Sequence, residues 1–175
     1  MRLMRSKTNW SMLLAGVLSL SLIGCTVSYK FNRASIDYNV VKTITIESFT
    51  NRASYQWGPM ASIFNNALGD IYVRQTKLRQ VKADGNLRLS GEITAYDQTN
   101  KSISSDGYSS MVQLRMSVRV TFVNNTNRNE DFEKTFSATR EYESSQQLSV
   151  VQEELVTQMT NEIVDQIFNA TVANW

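Results

Sequence analysis

Two arginines on one predicted strand have the residue type and spacing best suited to ligand binding. Arg115 and Arg119 lie four residues apart in an alternating polar and apolar segment, so both point to one side of a strand, about 13 Å apart. Arg88, in a neighbouring alternating segment, is expected on the same side. A guanidinium group binds phosphate or carboxylate through paired hydrogen bonds. The three arginines are therefore candidate contacts for a phosphorylated ligand or a polar protein wall. The alternative is a solvated sheet face whose ion pairs contribute little stability.

The composition excludes most catalytic and metal chemistry. The chain has 175 residues, no histidine and one cysteine, Cys25. Disulfides within the chain, zinc sites built from Cys and His, and Ser-His-Asp or Cys-His nucleophiles are therefore excluded. The sequence also lacks a glycine-rich phosphate loop, and its carboxylates show no pairing typical of acid–base catalysis. We expect no enzyme, no metal and no cofactor.

Cys25 itself lies in a context that predicts covalent lipid attachment. It follows Leu-Ile-Gly, and the leucine at −3 with the small glycine at −1 resembles a bacterial lipobox. The uncharged run 10–23 is shorter than the roughly 20 residues of a membrane-spanning helix, and it follows a basic lead. Residues 1–24 are therefore predicted to be a signal peptide that is removed, with acyl chains added to Cys25. An ordinary signal peptide with an incidental cysteine, or an uncleaved anchor, is the alternative.

Removal of residues 1–24 changes the charge of the chain. Three of its 18 Lys and Arg residues lie there, so 15 remain against 16 Asp and Glu, a net charge of −1. Without a basic excess, nucleic acid is not an expected partner. The remaining 151 residues suit one domain, which we place at 40–175 after a lipidated tether at 25–39.

Hydrophobic periodicity predicts the elements that position these residues. Alternating or β-branched segments predict strands, whereas apolar stripes at helical spacing predict helices. Ser149 and Gln152 form a capping-box pattern at the start of the second helix. Polar segments at 50–58 and 97–110 are predicted loops, and 124–129 a turn. The strands are 40–49, 77–81, 87–95, 112–122 and 131–142, and the helices begin after Pro59 and at Ser149.

This order predicts an α+β fold. Two amphipathic helices pack on one face of a small, mostly antiparallel mixed sheet, in the order strand, helix, strands, helix. Two helices cover only one face of such a sheet, and the strand alternation gives each strand one apolar side. The other sheet face is therefore expected to be polar and uncovered.

Five stretches of the chain resemble the LptE-type lipopolysaccharide-assembly lipoproteins in the form found in the Bacteroidota. They come in the expected order and span nearly all of 25–175. Each alone is weakly specific, but their order, the lipobox and the total length together are fairly specific. The stretches are Val41–Phe49, Asp84–Tyr96, Asp131–Ser137, Tyr142–Leu148 and Ile167–Trp175.

The resemblance implies a non-enzymatic outer-membrane lipoprotein. It would sit as a plug in the lumen of an LptD-type β-barrel, support barrel assembly, and take part in inserting lipopolysaccharide into the outer leaflet. Barrel, lipopolysaccharide and membrane are the implied partners. After Cys25 the sequence Thr26-Val27-Ser28 lacks the acidic run that resembles a surface-export signal, so we expect the protein to face the periplasm. Arg88, Arg115 and Arg119 come from strand geometry and are not carried over from the family.

Two other functions fit the same pattern. A structural or pilot lipoprotein that escorts another outer-membrane machine, such as a secretin, would need the same tethered domain. A small envelope hydrolase is the third reading.

Overall fold

The computed structural model describes residues 36–103 and 109–173, which form an α+β domain with two helices and a mixed, open sheet of six strands. The predicted α+β class is confirmed. The strands are β1 (Thr43–Ile46), β2 (Thr50–Asn51), β3 (Arg79–Gln80), β4 (Leu87–Ile103), β5 (Ser109–Asn124) and β6 (Phe132–Glu143). The helices are α1 (Met60–Gln75) and α2 (Leu148–Phe168), and α2 continues into a π-helical turn at Asn169–Ala173.

Strand order in the sheet is β3-β1-β4-β5-β6, and β2 pairs with β4 beyond the end of β1. The long ladders, β4 with β5 and β5 with β6, are antiparallel. The short pairings of β1 with β3, β1 with β4 and β2 with β4 are parallel. Parallel pairing requires a crossover connection, and α1 supplies it between β1 and the strands that follow.

One side of the long strands forms the core. Side chains alternate across a strand, so every second residue of β5 points to the same side, whereas in β4 the alternation shifts by one residue at an irregularity between Ile93 and Ala95. The residues on the core side are apolar and almost fully buried, and both helices add their buried side chains to the same cluster. Burial of one such side chain contributes about 1.5–3 kcal/mol. The strand members include Leu87, Leu89, Ile93, Leu114, Met116, Val118, Val120 and Phe122.

The apolar stripe predicted after Pro59 forms α1 and faces the core. Met60, Phe64 and Leu68 are fully buried on it. Asn65 ties the helix to the segment between β1 and β2, because its side-chain oxygen accepts the Phe49 amide at 2.8 Å and its nitrogen donates to the Phe49 carbonyl at 2.9 Å. The Phe49 and Phe64 rings pack 5.2 Å apart. The helix therefore fixes the path of the chain as it leaves β1.

The capping box predicted for α2 is wrong. The helix begins at Leu148, so Ser149 lies inside it, and Gln147 at the cap makes no side-chain capping bond. Gln152 points into the core instead, where its Nε2 donates to the Tyr96 hydroxyl at 2.9 Å. Burial raises the pKa of Tyr96 to about 12. A buried amide needs a partner, and that requirement outweighs local capping.

A buried hydroxyl pair joins α1 to the end of the chain. The Tyr72 hydroxyl lies 2.5 Å from the Thr171 hydroxyl, which also lies 2.9 Å from the Ile167 carbonyl. The Tyr72 ring packs edge-on against Phe168, 5.4 Å between centroids. Burial raises the pKa of Tyr72 well above its usual value. The π-helical turn therefore belongs to the core.

The two predicted loops differ from the structure. The segment 50–58 contains β2, and most of 97–110 is strand, because β4 continues to Ile103 and β5 begins at Ser109. The simple order strand, helix, strands, helix is therefore incomplete. Polar side chains do not prevent strand formation where backbone groups have a partner strand, and Thr99 pairs with Gln113 in this region. The predicted strands at 77–81 and 131–142 are present as β3 and β6.

We predict that Gly91→Ala destabilises the domain. A Cβ at Gly91 would overlap the Arg119 carbonyl oxygen of β5 and lie 2.5 Å from Cε1 of Phe49. The strands would have to shift, at a cost of about 1–3 kcal/mol in the free energy of unfolding. Urea unfolding followed by circular dichroism measures it.

Gly69→Ala is the matched control. A Cβ there meets no atom within 4 Å, and the residue lies inside α1. Alanine should stabilise the helix by about 0.8–1 kcal/mol. Equal effects of the same sign at both glycines would contradict the steric explanation.

Candidate docking surface

The side of β4, β5 and β6 opposite the core is polar, and we call it the polar face. The pairing register places Arg115 opposite Asp97 and Arg119 opposite Glu92. Arg88 lies on the same side, as the alternation predicts, opposite Val123. The polar face consists of Arg88, Ser90, Glu92, Asp97, Thr99, Gln113, Arg115, Ser117, Arg119, Thr121, Glu133, Thr135, Ser137, Thr139 and Glu141.

Each of the three arginines has a carboxylate partner. Arg119 Nη1 donates to Glu92 Oε1 at 2.9 Å, and Arg115 Nη2 donates to Asp97 Oδ2 at 3.1 Å. Arg88 Nε donates to Glu47 Oε1, just beyond β1, at 2.6 Å. All three arginine side chains are about half exposed. The sequence indicated that ion pairs could form on this face. It did not predict which carboxylates take part, because cross-strand neighbours depend on the register.

The charges on this surface balance. Arg119 Nε also lies 3.9 Å from Glu133, so three guanidinium groups meet four carboxylates. Lys101 and Glu141 add one further pair, 3.7 Å apart. The polar face therefore has no cationic excess. It offers alternating charges and hydroxyl groups, which suit hydrogen bonding to a polar protein surface better than binding of a polyanion.

Small hydroxyl side chains lie between the ion pairs. The Ser117 and Ser137 hydroxyls are 2.8 Å apart across β5 and β6. Thr94 donates to the Ser117 carbonyl at 3.3 Å. Thr135 and Thr139 are exposed beside them on β6. Because none of these side chains is large, this part of the polar face stays open to a flat partner.

The outer edge of β6 is covered by α2. Arg140 donates from Nη1 to the Thr139 carbonyl at 2.7 Å, and the same atom bonds Glu162 at 2.7 Å. Gln166 approaches the Ser137 carbonyl at 3.5 Å. Side chains of β6 itself and of α2 therefore occupy backbone groups that an edge strand would offer to another strand. This geometry favours docking through the polar face over strand addition at β6.

Cys25 and the first part of the predicted tether lie outside the described residues. The described chain begins at Ile36, whose side chain is buried, and Asp37 accepts the amides of Val40 and Val41 in a turn before β1.

A model of the LptE family, described as lipopolysaccharide-assembly, matches residues 41–171. The chain belongs to the LptE family. The match includes every strand and both helices of the described domain, and all the polar-face residues.

Solved structures show the same fold at low sequence identity. A minor lipoprotein from Acinetobacter baumannii is 15% identical, with a TM-score of 0.52, covering 77% of this chain and 95% of that one. A hypothetical protein from Chlamydia trachomatis is 10% identical, with a TM-score of 0.53, covering 75% and 98%. No curated protein matches the chain significantly.

Membership in the LptE family settles the broad class of the protein. LptE proteins are non-enzymatic, lipopolysaccharide-assembly lipoproteins of the cell envelope. Within the described residues, both helices are too short or too polar to cross a membrane.

We predict that the ion pairs of the polar face contribute little to stability. Exposed pairs typically contribute about 0.2–1 kcal/mol. A double-mutant cycle with Arg119→Ala and Glu92→Ala should therefore give a coupling energy below about 1 kcal/mol, and it should fall further at high salt. A coupling of several kcal/mol would mean that the arginine cannot exchange its carboxylate for a partner group.

Proposed function

We propose that this LptE protein is an outer-membrane lipoprotein, anchored through Cys25 after removal of residues 1–24, that faces the periplasm. Its polar face docks on the inner wall of an LptD-type β-barrel. There it acts as plug and assembly partner while lipopolysaccharide passes to the outer leaflet. The ion-paired, hydroxyl-rich polar face is the observation that carries the proposal.

The chemistry of a barrel lumen supports this docking mode. The inner wall of a large membrane barrel is polar, since its strands alternate apolar side chains towards lipid with polar ones towards the lumen. A surface with balanced charges can exchange its own weak ion pairs for pairs across an interface. An apolar surface there would take water away from the polar groups of the wall without offering them hydrogen-bond partners. The polar face is therefore chemically complementary to the polar, hydrated inner wall of a β-barrel.

The same pairing argues against lipopolysaccharide as the main ligand of this surface. A phosphate group close to Arg115 or Arg119 would also lie near Asp97, Glu92 and Glu133, and like charges repel. We therefore assign Arg88, Arg115 and Arg119 to contact with the partner protein. Lipopolysaccharide enters through the barrel that the protein supports.

The anchor is tested by mass spectrometry of the protein purified from membranes. We expect residues 1–24 to be removed and acyl chains to be present on Cys25. Cys25→Ala should leave the protein uncleaved or soluble in the periplasm. An unmodified Cys25 thiol on a membrane-bound chain would contradict the proposal.

Docking is tested by charge reversal on the polar face. Arg115→Glu together with Arg119→Glu places extra carboxylates beside Asp97, Glu92 and Glu133, so we expect at least tenfold less β-barrel protein in pull-downs from solubilised outer membranes, a loss of about 1.4 kcal/mol or more. Circular dichroism checks that the variant folds. Lys42→Glu with Lys77→Glu, on exposed residues outside the polar face, is the matched control and should retain capture.

Unchanged capture of the barrel by the polar-face variant would overturn the docking mode. Recovery of a secretin or another outer-membrane complex instead of an LptD-type barrel would favour the pilot-lipoprotein alternative. Depletion of the protein should also reduce lipopolysaccharide at the cell surface.

A further inference from the structure

The edge of the sheet opposite β6 carries a second charged surface, which we call the basic edge. It consists of exposed cations at the end of α1, along β3 and just before β1. From residue 74 to residue 82 the chain has four basic residues and no acidic one. The basic edge comprises Lys42, Arg74, Lys77, Arg79 and Lys82.

Backbone pairing holds these residues together. The Arg79 amide donates to the Lys42 carbonyl at 3.0 Å, and the Val81 amide donates to the Ile44 carbonyl at 2.9 Å. Arg74 lies in the last turn of α1, directly before this segment. Lys42 and the segment from Arg74 to Lys82 are therefore neighbours along this edge although they come from two distant parts of the sequence.

The charge environment of the basic edge differs from that of the polar face. Within the described residues, no carboxylate oxygen lies within 4.0 Å of the side-chain nitrogens of the five cations, whereas all three polar-face arginines are paired. Four acidic residues lie within five positions of these cations in the sequence, so the five cations exceed them by one; the four are Asp37, Glu47, Asp70 and Asp84. Such a surface attracts anions within the Debye length, about 8–10 Å at moderate salt.

The chain that leads to Cys25 starts from the same edge. Tyr38 lies here, with Lys77 Nζ 5.8 Å from the centre of its ring and the Lys77 amide 3.4 Å from its hydroxyl. Ile36, the first described residue, is eleven residues after Cys25. Eleven residues span at most about 40 Å when fully extended, so a lipid on Cys25 would limit how far this edge can move from the bilayer.

We infer that the basic edge rests on the anionic phosphate headgroups of the membrane that holds the lipid anchor. The inference depends on the proposed anchoring through Cys25. It adds a second contact that orients the domain, because a lipid anchor alone fixes distance but not rotation. Clusters of Lys and Arg beside a membrane anchor bind anionic lipid in this way.

The polar face remains available in this orientation. It belongs to β4, β5 and β6, whereas the basic edge belongs to β3 and the ends of β1 and α1. The two surfaces adjoin where Lys82 and Arg88 line one cavity, but Arg115 and Arg119 lie on β5, three strands away from β3, so lipid at the basic edge leaves them open to protein. Cations on an exposed edge strand also prevent strand addition, a role that needs charge but no lipid, and the experiment must separate the two roles.

A fluorescent label on the basic edge tests the inference in the mature lipoprotein. Gln80→Cys places a thiol on β3, and a lipidated Cys25 has no free thiol to compete for the label. Thr139→Cys, exposed on β6, is the control position. Each labelled protein is inserted into phosphatidylcholine vesicles with or without phosphatidylglycerol, and lipids carrying a headgroup quencher report proximity.

We expect quenching at position 80 but not at position 139, only with phosphatidylglycerol, and lost at high salt. Adding Lys77→Glu and Lys82→Glu should weaken the lipid-dependent quenching at least tenfold, since each cation near an anionic surface contributes roughly fivefold. Arg115→Glu with Arg119→Glu should leave it unchanged. Circular dichroism checks folding of each variant.

Equal quenching in both vesicle types, or none in either, would overturn the inference. Oligomers formed by strand addition in the Lys77→Glu and Lys82→Glu variant alone would assign the basic edge to edge protection. Labelling of Cys25 itself would show that the anchor has failed. In that case, sedimentation of the protein with phosphatidylglycerol vesicles but not with phosphatidylcholine vesicles still decides whether the edge binds lipid.

Discussion

Backbone hydrogen bonding between β4 and β5 places Leu89 opposite Phe122 on one side of the sheet and Glu92 opposite Arg119 on the other. A slip of one residue would exchange the two sides, burying charges and exposing the apolar residues. The core therefore specifies the register, and the register in turn creates the ion pairs. Gly91 belongs to the same constraint, because only glycine allows β5 and the Phe49 ring to approach β4 so closely. The polar face is a consequence of this one pairing.

The two charged surfaces of the domain differ in the range over which their charges act. On the polar face, guanidinium groups and carboxylates neutralise each other at 2.6–3.1 Å, so that surface interacts through short-range contacts. On the basic edge the cations have no carboxylate within ion-pair distance in the described part of the chain, so their field extends into solvent. Counting basic residues along the sequence would not distinguish them, because the distinction depends on which carboxylates the fold brings near.

Sequence periodicity predicted the elements correctly where burial of apolar side chains alone determines the structure. The stripe of α1 and the alternation of β5 predict their elements because apolar burial decides both. Periodicity failed where a residue distant in sequence determines the contact. Gln152 was predicted to cap α2, but its side chain donates to the buried Tyr96 hydroxyl instead. The strand extension around Thr99 depends on pairing with β5, which composition does not encode. Side-chain alternation alone was enough to predict three arginines on one side of the sheet. Predicting their carboxylate partners would have required the strand register.

The contact between the Tyr72 and Thr171 hydroxyls, 99 residues apart in sequence, has a consequence for the time course of folding. The contact closes a long loop, and contacts between residues so distant in sequence form slowly because the entropy of that loop must be overcome first. Until Phe168 and Thr171 dock, α1 lacks two of its neighbours and the interior around Tyr72 stays incomplete. Docking of α2 with its π-helical turn is therefore the step that closes this part of the core.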